Sequence, residues 1–132
     1  MELLIVVALV GLMTVLATAS YRGYVERANR TEAMEALLLL QNRQEDFRNI
    51  NNTYTANLDA LGFPDGCTQN CIYTISFTVA PDTRTFTARA EPTPGGGTNG
   101  VDQSGDGDCQ WFTIDARSAT NAGPSATCWE GR

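Results

Sequence analysis

The sequence contains no histidine and no lysine, and all nine of its basic residues are arginine. The absence of lysine excludes a Schiff base, an isopeptide cross-link and sortase-type polymerisation. No catalytic arrangement is left among the other residues. The GGGTNG stretch lacks the lysine and the following helix that a phosphate-binding loop requires, and the four cysteines are not nucleophiles if they pair. We therefore expect a protein that is not an enzyme and uses no cofactor.

Positive charge is scarce relative to negative charge, and the formal net charge is −6. A surface that binds nucleic acid directly needs a basic stripe to neutralise phosphates, and this composition argues against one. We expect any contact with nucleic acid to be indirect.

No charged residue occurs between Leu3 and Ala19, whereas Glu2 stands directly before this run. Seventeen helical residues span about 25 Å, near the lower limit for crossing a bilayer. A signal-peptide core is the alternative, but no basic segment precedes the run and no clear A-x-A cleavage site closes it. The sequence then continues in helix-forming residues without a break. We interpret residues 1–21 as a retained transmembrane or assembly segment and residues 22–132 as a globular head.

The absence of proline from the first fifty residues favours one helix over about residues 1–50. Its second half carries an apolar stripe at three- and four-residue spacing, formed by Ala33, Leu37, Leu40, Gln44 and Phe47. Opposite-charge pairs are predicted on the exposed side, between Arg22 and Glu26 and between Glu26 and Arg30. A helix of this length needs more than its own head to pack against.

The head contains short alternating segments that are typical of antiparallel strands. CIYTISFTVA and TFTARAE predict a hairpin across the turn PDTR, QWFTID predicts a third strand, and the tail ARSATNAGPSATCWEGR is expected to be irregular. The segment 49–66 is predicted to be a loop held by Tyr54, Leu58, Leu61 and Phe63. The predicted fold class is α+β, with one long helix packed on an antiparallel sheet of three or four strands.

Four cysteines, without histidine and without paired CxxC spacing, favour two disulfides over a zinc site and place the head in an oxidising compartment. We prefer the pairs Cys67–Cys71 and Cys109–Cys128 because each closes a local loop, and the two other connectivities stay open. A head this small is marginal by burial alone, so two disulfides are physically sensible.

Three carboxylates lie close together on a Gly-rich loop, at Asp102, Asp106 and Asp108. Calcium prefers several oxygen ligands on such loops, so these residues are weak candidates for a calcium site. Their spacing is not that of an EF-hand, and a solvated acidic loop is the ordinary interpretation. We therefore expect no bound metal.

The N-terminal segment MELLIVVALVGLMTVLATASYRGYVERA resembles that of type IV pilins, and the resemblance covers about the first fifty residues. In that family a glutamate precedes an apolar run that a pair of tyrosines closes, as Glu2, Tyr21 and Tyr24 do here. The chain end, where Trp129 follows Cys128, is similar to that of Gram-negative major pilins. The resemblance implies a pilin fold and a filament in which the apolar helices bundle.

The same resemblance implies roles for residues of the apolar run. Glu2 would pair with the N-terminal amine of a neighbouring subunit, because a carboxylate inside an apolar bundle needs a partner. The alternative is that Glu2 is solvated at the level of the lipid headgroups. The positions that would pack the helices together are Leu3, Val6, Val7, Leu9, Val10 and Leu12.

Pilins are made with a short basic leader that ends in glycine, and the leader peptidase also methylates the new N-terminus. Neither that glycine nor the phenylalanine that typically follows it is present before Glu2, so we expect the leader and the first residues to be missing from this chain. The alternative is that Met1 is the true initiator, which would leave no processing site. A basic leader would also explain why Arg22, Arg27 and Arg30 follow the run although the cysteines require the head to be outside.

The function implied is that of a structural subunit of a type IV pilus, a homopolymer that supports twitching motility, adhesion and DNA uptake. The partners implied are identical subunits, the pilus assembly machinery and the leader peptidase and methylase. The subunit would wait in the inner membrane before joining the surface filament. The alternative is a minor pilin or a type II secretion pseudopilin, and a membrane-anchored binding head is a third class.

One position departs from the family pattern. Many pilins have a proline two residues before the first tyrosine, where this chain has Ala19. In those pilins the helix partly unwinds between a glycine and that proline when the filament assembles. Gly11 is present here, but without the proline the strongest helix breaker is missing. We expect the melted stretch between Gly11 and Ala19 to be shorter in the filament, or absent.

Overall fold

The computed structural model describes the backbone of residues 2–98 and 100–130, together with their side chains except at positions 2, 15–20 and 22. One helix, α1, occupies Glu2–Asn51. Four strands follow, namely β1 (Tyr73–Val79), β2 (Thr87–Pro92), β3 (Cys109–Asp115) and β4 (Thr120–Pro124). Short 3-10 helices occupy Pro64–Gly66 and Ala126–Glu130.

Helix α1 agrees with the predicted range to within one residue at each end. At 1.5 Å per residue its length is about 75 Å. Its backbone is helical from Gly11 through Ala19 in the single subunit, while the conformation of this stretch in a filament stays a prediction. Beyond the C-terminus of α1, Asn52 has a φ of 57° and its N–H donates to the carbonyl of Arg48 at 2.7 Å, which closes the last turn.

The predicted apolar stripe of α1 is confirmed as the helix's contribution to the core. Ala33, Leu37 and Leu40 have no exposed surface, and Phe47 packs half-buried at the margin. Opposite them lies the inner face of the sheet, whose buried side chains are Tyr73, Ile75, Ala88, Ala90, Phe112, Ile114 and Ala122. The head's core therefore forms between one face of the C-terminal half of α1 and one face of the sheet.

Gln44 is a polar member of the stripe and is fully buried. Its Nε2 donates to the carbonyl of Thr55 at 2.6 Å, and its Oε1 accepts the Thr55 N–H at 3.0 Å. Both ends of the amide are thus satisfied, as a buried polar group requires. The loop that follows α1 is held here, and its predicted inward residues are buried (Tyr54, Leu61, Phe63) or half-buried (Leu58).

The sheet is an antiparallel meander in the order β1-β2-β3-β4. The predicted hairpin is confirmed as β1 and β2, with Thr74 opposite Glu91 and Ser76 opposite Arg89. Tyr73 and Ile75 face inward and Thr74 between them faces solvent, so the alternation predicted for this strand is present at its start.

The prediction of an irregular tail is wrong, because Thr120–Pro124 forms the fourth strand. The reason lies in the pairing of Trp111 with Gly123. A Cβ added at Gly123 would lie 2.3 Å from the indole of Trp111, so the indole occupies the space where a side chain of β4 would stand. A strand whose outer surface is covered by its neighbour's side chain does not need the alternation that identifies strands in a sequence.

Both preferred disulfides are present. Cys67 and Cys71 are joined with a Cα–Cα distance of 4.9 Å, and Cys109 and Cys128 with 5.8 Å. The first closes the loop before β1. The second ties the start of β3 to the final 3-10 helix, so the chain end is fixed against the sheet.

We predict that Leu37→Ala lowers the free energy of unfolding by about 2–5 kcal/mol, because it opens a cavity between α1 and the sheet. Leu38→Ala is the matched control, since Leu38 is 45% exposed on the same helix and its loss should cost only about 0.5 kcal/mol. Urea unfolding of the full chain in a mild detergent, followed by tryptophan fluorescence, measures both. Equal losses for the two variants would contradict the assignment of the core.

Candidate functional site: an exposed apolar stem on a fastened head

The first part of α1 is an apolar rod that has no packing partner within the part of the chain that the structure describes. Every one of the six predicted assembly residues is exposed, from 54% for Leu9 to 76% for Leu3; the others are Val6, Val7, Val10 and Leu12. Leu4, Ile5 and Met13 are exposed as well, so all sides of the helix are apolar. We call residues 3–14 the stem. Such a surface is expected to be covered by lipid or by other protein.

The only hydroxyl of the stem is satisfied within the helix. Thr14 Oγ1 lies 2.8 Å from the carbonyl of Gly11 and 3.2 Å from that of Val10. A polar group bonded to its own backbone adds little cost in apolar surroundings. A Cβ added at Gly11 would meet nothing within 4 Å, which leaves this side of the helix open to a neighbour.

Among the described residues, no stretch of helix is both long enough and apolar enough to cross a membrane. The side chain of Glu2 lies outside the described residues, so its pairing stays a prediction. Tyr21 and Tyr24 are exposed to 69% and 72% and contribute nothing to the head's core.

The head is fastened to α1 by a buried ion pair that the sequence analysis missed. Arg30 Nε lies 2.6 Å from Asp106 Oδ2, and its second guanidinium nitrogen lies 2.7 Å from Oδ1. Both residues are buried, and the hydrogen bonds that the Arg30 guanidinium donates to the Asp106 carboxylate raise the pKa of Arg30 above its ordinary value. The predicted Glu26–Arg30 pair is therefore wrong, because a bidentate partner in the interior takes the guanidinium. The Arg22 side chain lies outside the described residues, and so does its predicted pair with Glu26.

The loop that carries Asp106 is held at a second point. Gln103 is buried, and its Nε2 lies 3.3 Å from the carbonyl of Glu26 and 3.4 Å from the hydroxyl of Tyr73. Its Oε1 accepts a hydrogen bond from Asn29 at 3.3 Å. Burial raises the pKa of Tyr73, so this hydroxyl stays protonated in the physiological range.

The weak calcium candidates do not form a site. Asp106 is engaged with Arg30 and accepts the backbone N–H groups of Asp108 and Cys109 at 3.2 Å and 3.1 Å. Asp102 is exposed, and its Oδ1 accepts the N–H of Ser104. The hydrogen bonds that Ser104 donates lower the pKa of the Asp102 carboxyl group. Among the described residues no group of three metal-ligating side chains converges. The carboxylate best placed to coordinate a cation is used to bind an arginine instead.

Glu32 fastens the small disulfide loop to α1. Its Oε1 accepts hydrogen bonds from the Thr68 hydroxyl and from the Asn70 N–H, the latter at 3.0 Å, and its Oε2 accepts one from Asn70 Nδ2 at 2.8 Å. One carboxylate on the helix thus binds three donors of the loop between Cys67 and Cys71.

Two turns at the same end of the sheet have the same construction. Asp82 Oδ1 accepts the N–H groups of Arg84 and Thr85 at 2.6 Å and 2.7 Å, and Asp115 Oδ1 accepts those of Arg117 and Ala119, both at 2.8 Å. These backbone bonds lower the pKa of Asp82.

The two turns touch, because the Ala116 N–H donates to the carbonyl of Phe86 at 3.2 Å. Arg84 and Arg117 are both exposed, so they project from one end of the head. The repeated Asp-x-Arg of PDTR and IDAR was a signal in the sequence that could have identified this pair of turns.

Two solved structures have this fold. The non-core minor pilin PilV of Neisseria meningitidis is 19% identical with a TM-score of 0.56, and the match covers 78% of this chain and 94% of that one. A type IV pilin from Shewanella oneidensis is 20% identical with a TM-score of 0.53, covering 79% of this chain and 97% of that one. No curated protein sequence matches significantly.

A long helix packed on a four-stranded antiparallel sheet is the fold that this chain shares with these two type IV pilins. Within that class, residues 19–113 match the model of the family described as type IV minor pilin ComP, DNA uptake sequence receptor. The match spans well over half of the chain, and the chain belongs to this family. The resemblance to type IV pilins found in the sequence is thereby confirmed.

We predict that Asp106→Ala destabilises the head by about 3–5 kcal/mol, because it leaves the Arg30 guanidinium buried without a counter-charge. Asp102→Ala is the matched control on the same loop and should be nearly neutral, since Asp102 is exposed. The double variant Arg30→Met/Asp106→Leu should recover much of the loss. Thermal unfolding of the full chains measures all three, and a neutral Asp106→Ala would contradict the role of the pair.

Proposed function

We propose that this chain is a structural subunit of a type IV pilus, present as a minor component of the filament. The observation that carries the proposal is the stem, whose apolar side chains are exposed and pack on none of the other residues that the structure describes. Each large aliphatic side chain of this kind gains about 1.5–3 kcal/mol when it is removed from water. The stem is therefore stable only in lipid or against the stems of other subunits.

On assembly, the stem would leave the lipid of the membrane and pack against the stems of other subunits. In the inner membrane the stem contacts acyl chains, and in the filament it contacts neighbouring stems while the head stays at the surface. Extraction from the bilayer needs an ATP-driven machine, because transient exposure of the whole stem costs far more than thermal energy. The rigid fastening of the head to α1 lets the head follow the stem as one body.

Glu2 has the role of setting register in this exchange. A carboxylate at the start of the apolar rod is costly in a bundle unless a positive group meets it. The N-terminal amine of a neighbouring subunit is the group that would meet it. The pair would form only when two stems are offset correctly, which is a common use of a buried charge.

The choice of a minor over a major role rests on the family's description, which names minor pilins. The homopolymer suggested by the similarity to major pilins is the competing reading. It predicts that this chain dominates long filaments, whereas a minor pilin is a small fraction of them.

Sheared surface filaments tested by quantitative mass spectrometry distinguish these readings. We expect this chain to be present at a small fraction of the most abundant pilin. Glu2→Ala should leave the protein in the inner membrane and remove it from the filaments, because the stem no longer finds its register. Glu35→Ala on the exposed side of α1 is the control and should assemble normally. Normal incorporation of Glu2→Ala would refute the pairing, and dominance of this chain in the filaments would refute the minor role.

A second candidate function is binding of DNA during uptake, because the family's description names a DNA uptake sequence receptor. The net charge of −6 opposes it. In its favour, the two Asp-x-Arg turns present Arg84 and Arg117 together at one end of the head. Asp82 and Asp115 have their Oδ1 atoms occupied by backbone N–H groups, which reduces their competition for these guanidinium groups. Two arginines at one end of an acidic protein would give local attraction for phosphate.

Binding of duplex DNA to the full chain, measured over a range of salt concentrations, tests this candidate. We expect Arg84→Ala/Arg117→Ala to lower the slope of log Kobs against log salt by about two, since each phosphate contact contributes roughly 0.9. Arg27→Ala, an exposed position near the stem, is the control and should leave the slope unchanged. A slope that is the same in the double variant would remove these turns from DNA contact.

A further inference from the structure

The solvent-facing side of the sheet carries a cleft with a mixed polar and apolar lining that neither the stem nor the Asp-x-Arg turns use. It lies where β1 and β2 meet the loop between β2 and β3, and its volume is about 550 Å³. That volume is within the range of small-ligand sites, roughly 300–1,000 Å³. The residues that line it are Thr74, Glu91, Pro92, Pro94, Ser104 and Gln110.

The floor of the cleft is built from rigid elements. Thr74 of β1 lies opposite Glu91 of β2, so their side chains stand next to each other on the outer face. The Thr74 hydroxyl is 3.0 Å from that of Thr93, which begins the wall. Positions on paired strands hold their side chains more precisely than positions on loops do.

The carboxylate of Glu91 is oriented by an arginine that is itself held in place. Arg89 of β2 lies 2.7 Å from Glu91 Oε1, and its guanidinium carbon lies 5.0 Å from the ring centroid of Trp111. Trp111 in turn lies against Gly123 of β4, where a Cβ would collide with the indole. The chain Gly123–Trp111–Arg89–Glu91 therefore fixes the carboxylate from across the sheet.

The lining selects a class of ligand. A carboxylate, an amide and several hydroxyls offer both acceptors and donors, while the two proline rings offer small apolar faces. An anionic ligand would be repelled by Glu91 and by the net charge of −6, and a purely apolar ligand would leave these polar groups without hydrogen bonds. A neutral polyhydroxylated ligand has donors for the carboxylate and C–H faces for the prolines.

We propose that this cleft is a binding site for neutral carbohydrate. The proposal is independent of the filament role: a pilin without this activity would still assemble through its stem. Glu91 and Gln110 would bind sugar hydroxyls, and the hydroxyls of Thr74 and Ser104 would complete the contacts.

The two tryptophans provide a test with an internal control. The indole of Trp111 belongs to the chain of contacts that orients Glu91, whereas the Trp129 indole donates to the carbonyl of Asn121 at 2.6 Å, away from the cleft lining. The full chain, with ¹⁵N-labelled tryptophan, is titrated in an amine-oxide detergent, because maltoside detergents would compete. The probes are lactose, cellobiose and N,N′-diacetylchitobiose. We expect at least one of them to shift the Trp111 indole resonance in a saturable manner and to leave that of Trp129 unmoved.

Matched variants locate the binding. Thr74→Val and Gln110→Ala each remove one polar group from the lining and should weaken binding by roughly three- to tenfold. Thr78→Val is the control, because Thr78 also belongs to β1 and is exposed but does not line the cleft. Three results would overturn the proposal: no saturable shift with any of the probes, equal shifts of both indoles, or loss of binding in Thr78→Val as large as in Thr74→Val. A shift produced by acetyl-arginine amide and by none of the sugars would also overturn it, in favour of a site for basic side chains.

Discussion

The packing of Ala33, Leu37 and Leu40 against the inner face of the sheet is the contact on which the rest of the molecule depends. This contact involves only the C-terminal half of α1, because the sheet covers only that part of the helix. The stem is consequently left as an apolar rod with no packing partner among the described residues. Different parts of one helix therefore need different surroundings: the stem needs an apolar environment, and the C-terminal half packs on the sheet. The boundary between the two parts lies near Arg30, whose side chain is buried in the head.

Polar contacts hold the loops of the head in one arrangement on this core. Asp106 binds Arg30, Glu32 binds the small disulfide loop, and Gln44 binds the backbone of Thr55. A buried ion pair contributes little net stability compared with apolar packing, but losing one partner is costly, so such pairs select one arrangement over others. For the proposed transfer of the chain from membrane to filament as one body, loops fixed to the helix are a requirement.

The outer face of the sheet and the turns at its end lie away from the contact between α1 and the sheet. Arg84 and Arg117 project from turns built in the same way, while the cleft at Glu91 lies towards the other end of the same strands. The proposed roles in filament formation, contact with phosphate and binding of sugar thus fall in three separate regions. Each can be altered without disturbing the packing of the other two.

Local pattern determined much of this protein from the sequence alone. The periodicity of α1, the alternation in β1 to β3 and the short spacing of the cysteine pairs are properties of neighbouring residues, so they predicted the helix, the hairpin and both disulfides. The tertiary structure decided what depends on distant residues. Arg30 meets Asp106 across 76 positions, and the sequence offered it Glu26 as a nearer partner. The strand β4 exists because Trp111 covers Gly123, and the Asp-x-Arg turns act together because the meander brings them to one end. Long-range contacts of this kind leave no periodic trace in the chain, since they are chosen by the packing of the whole head.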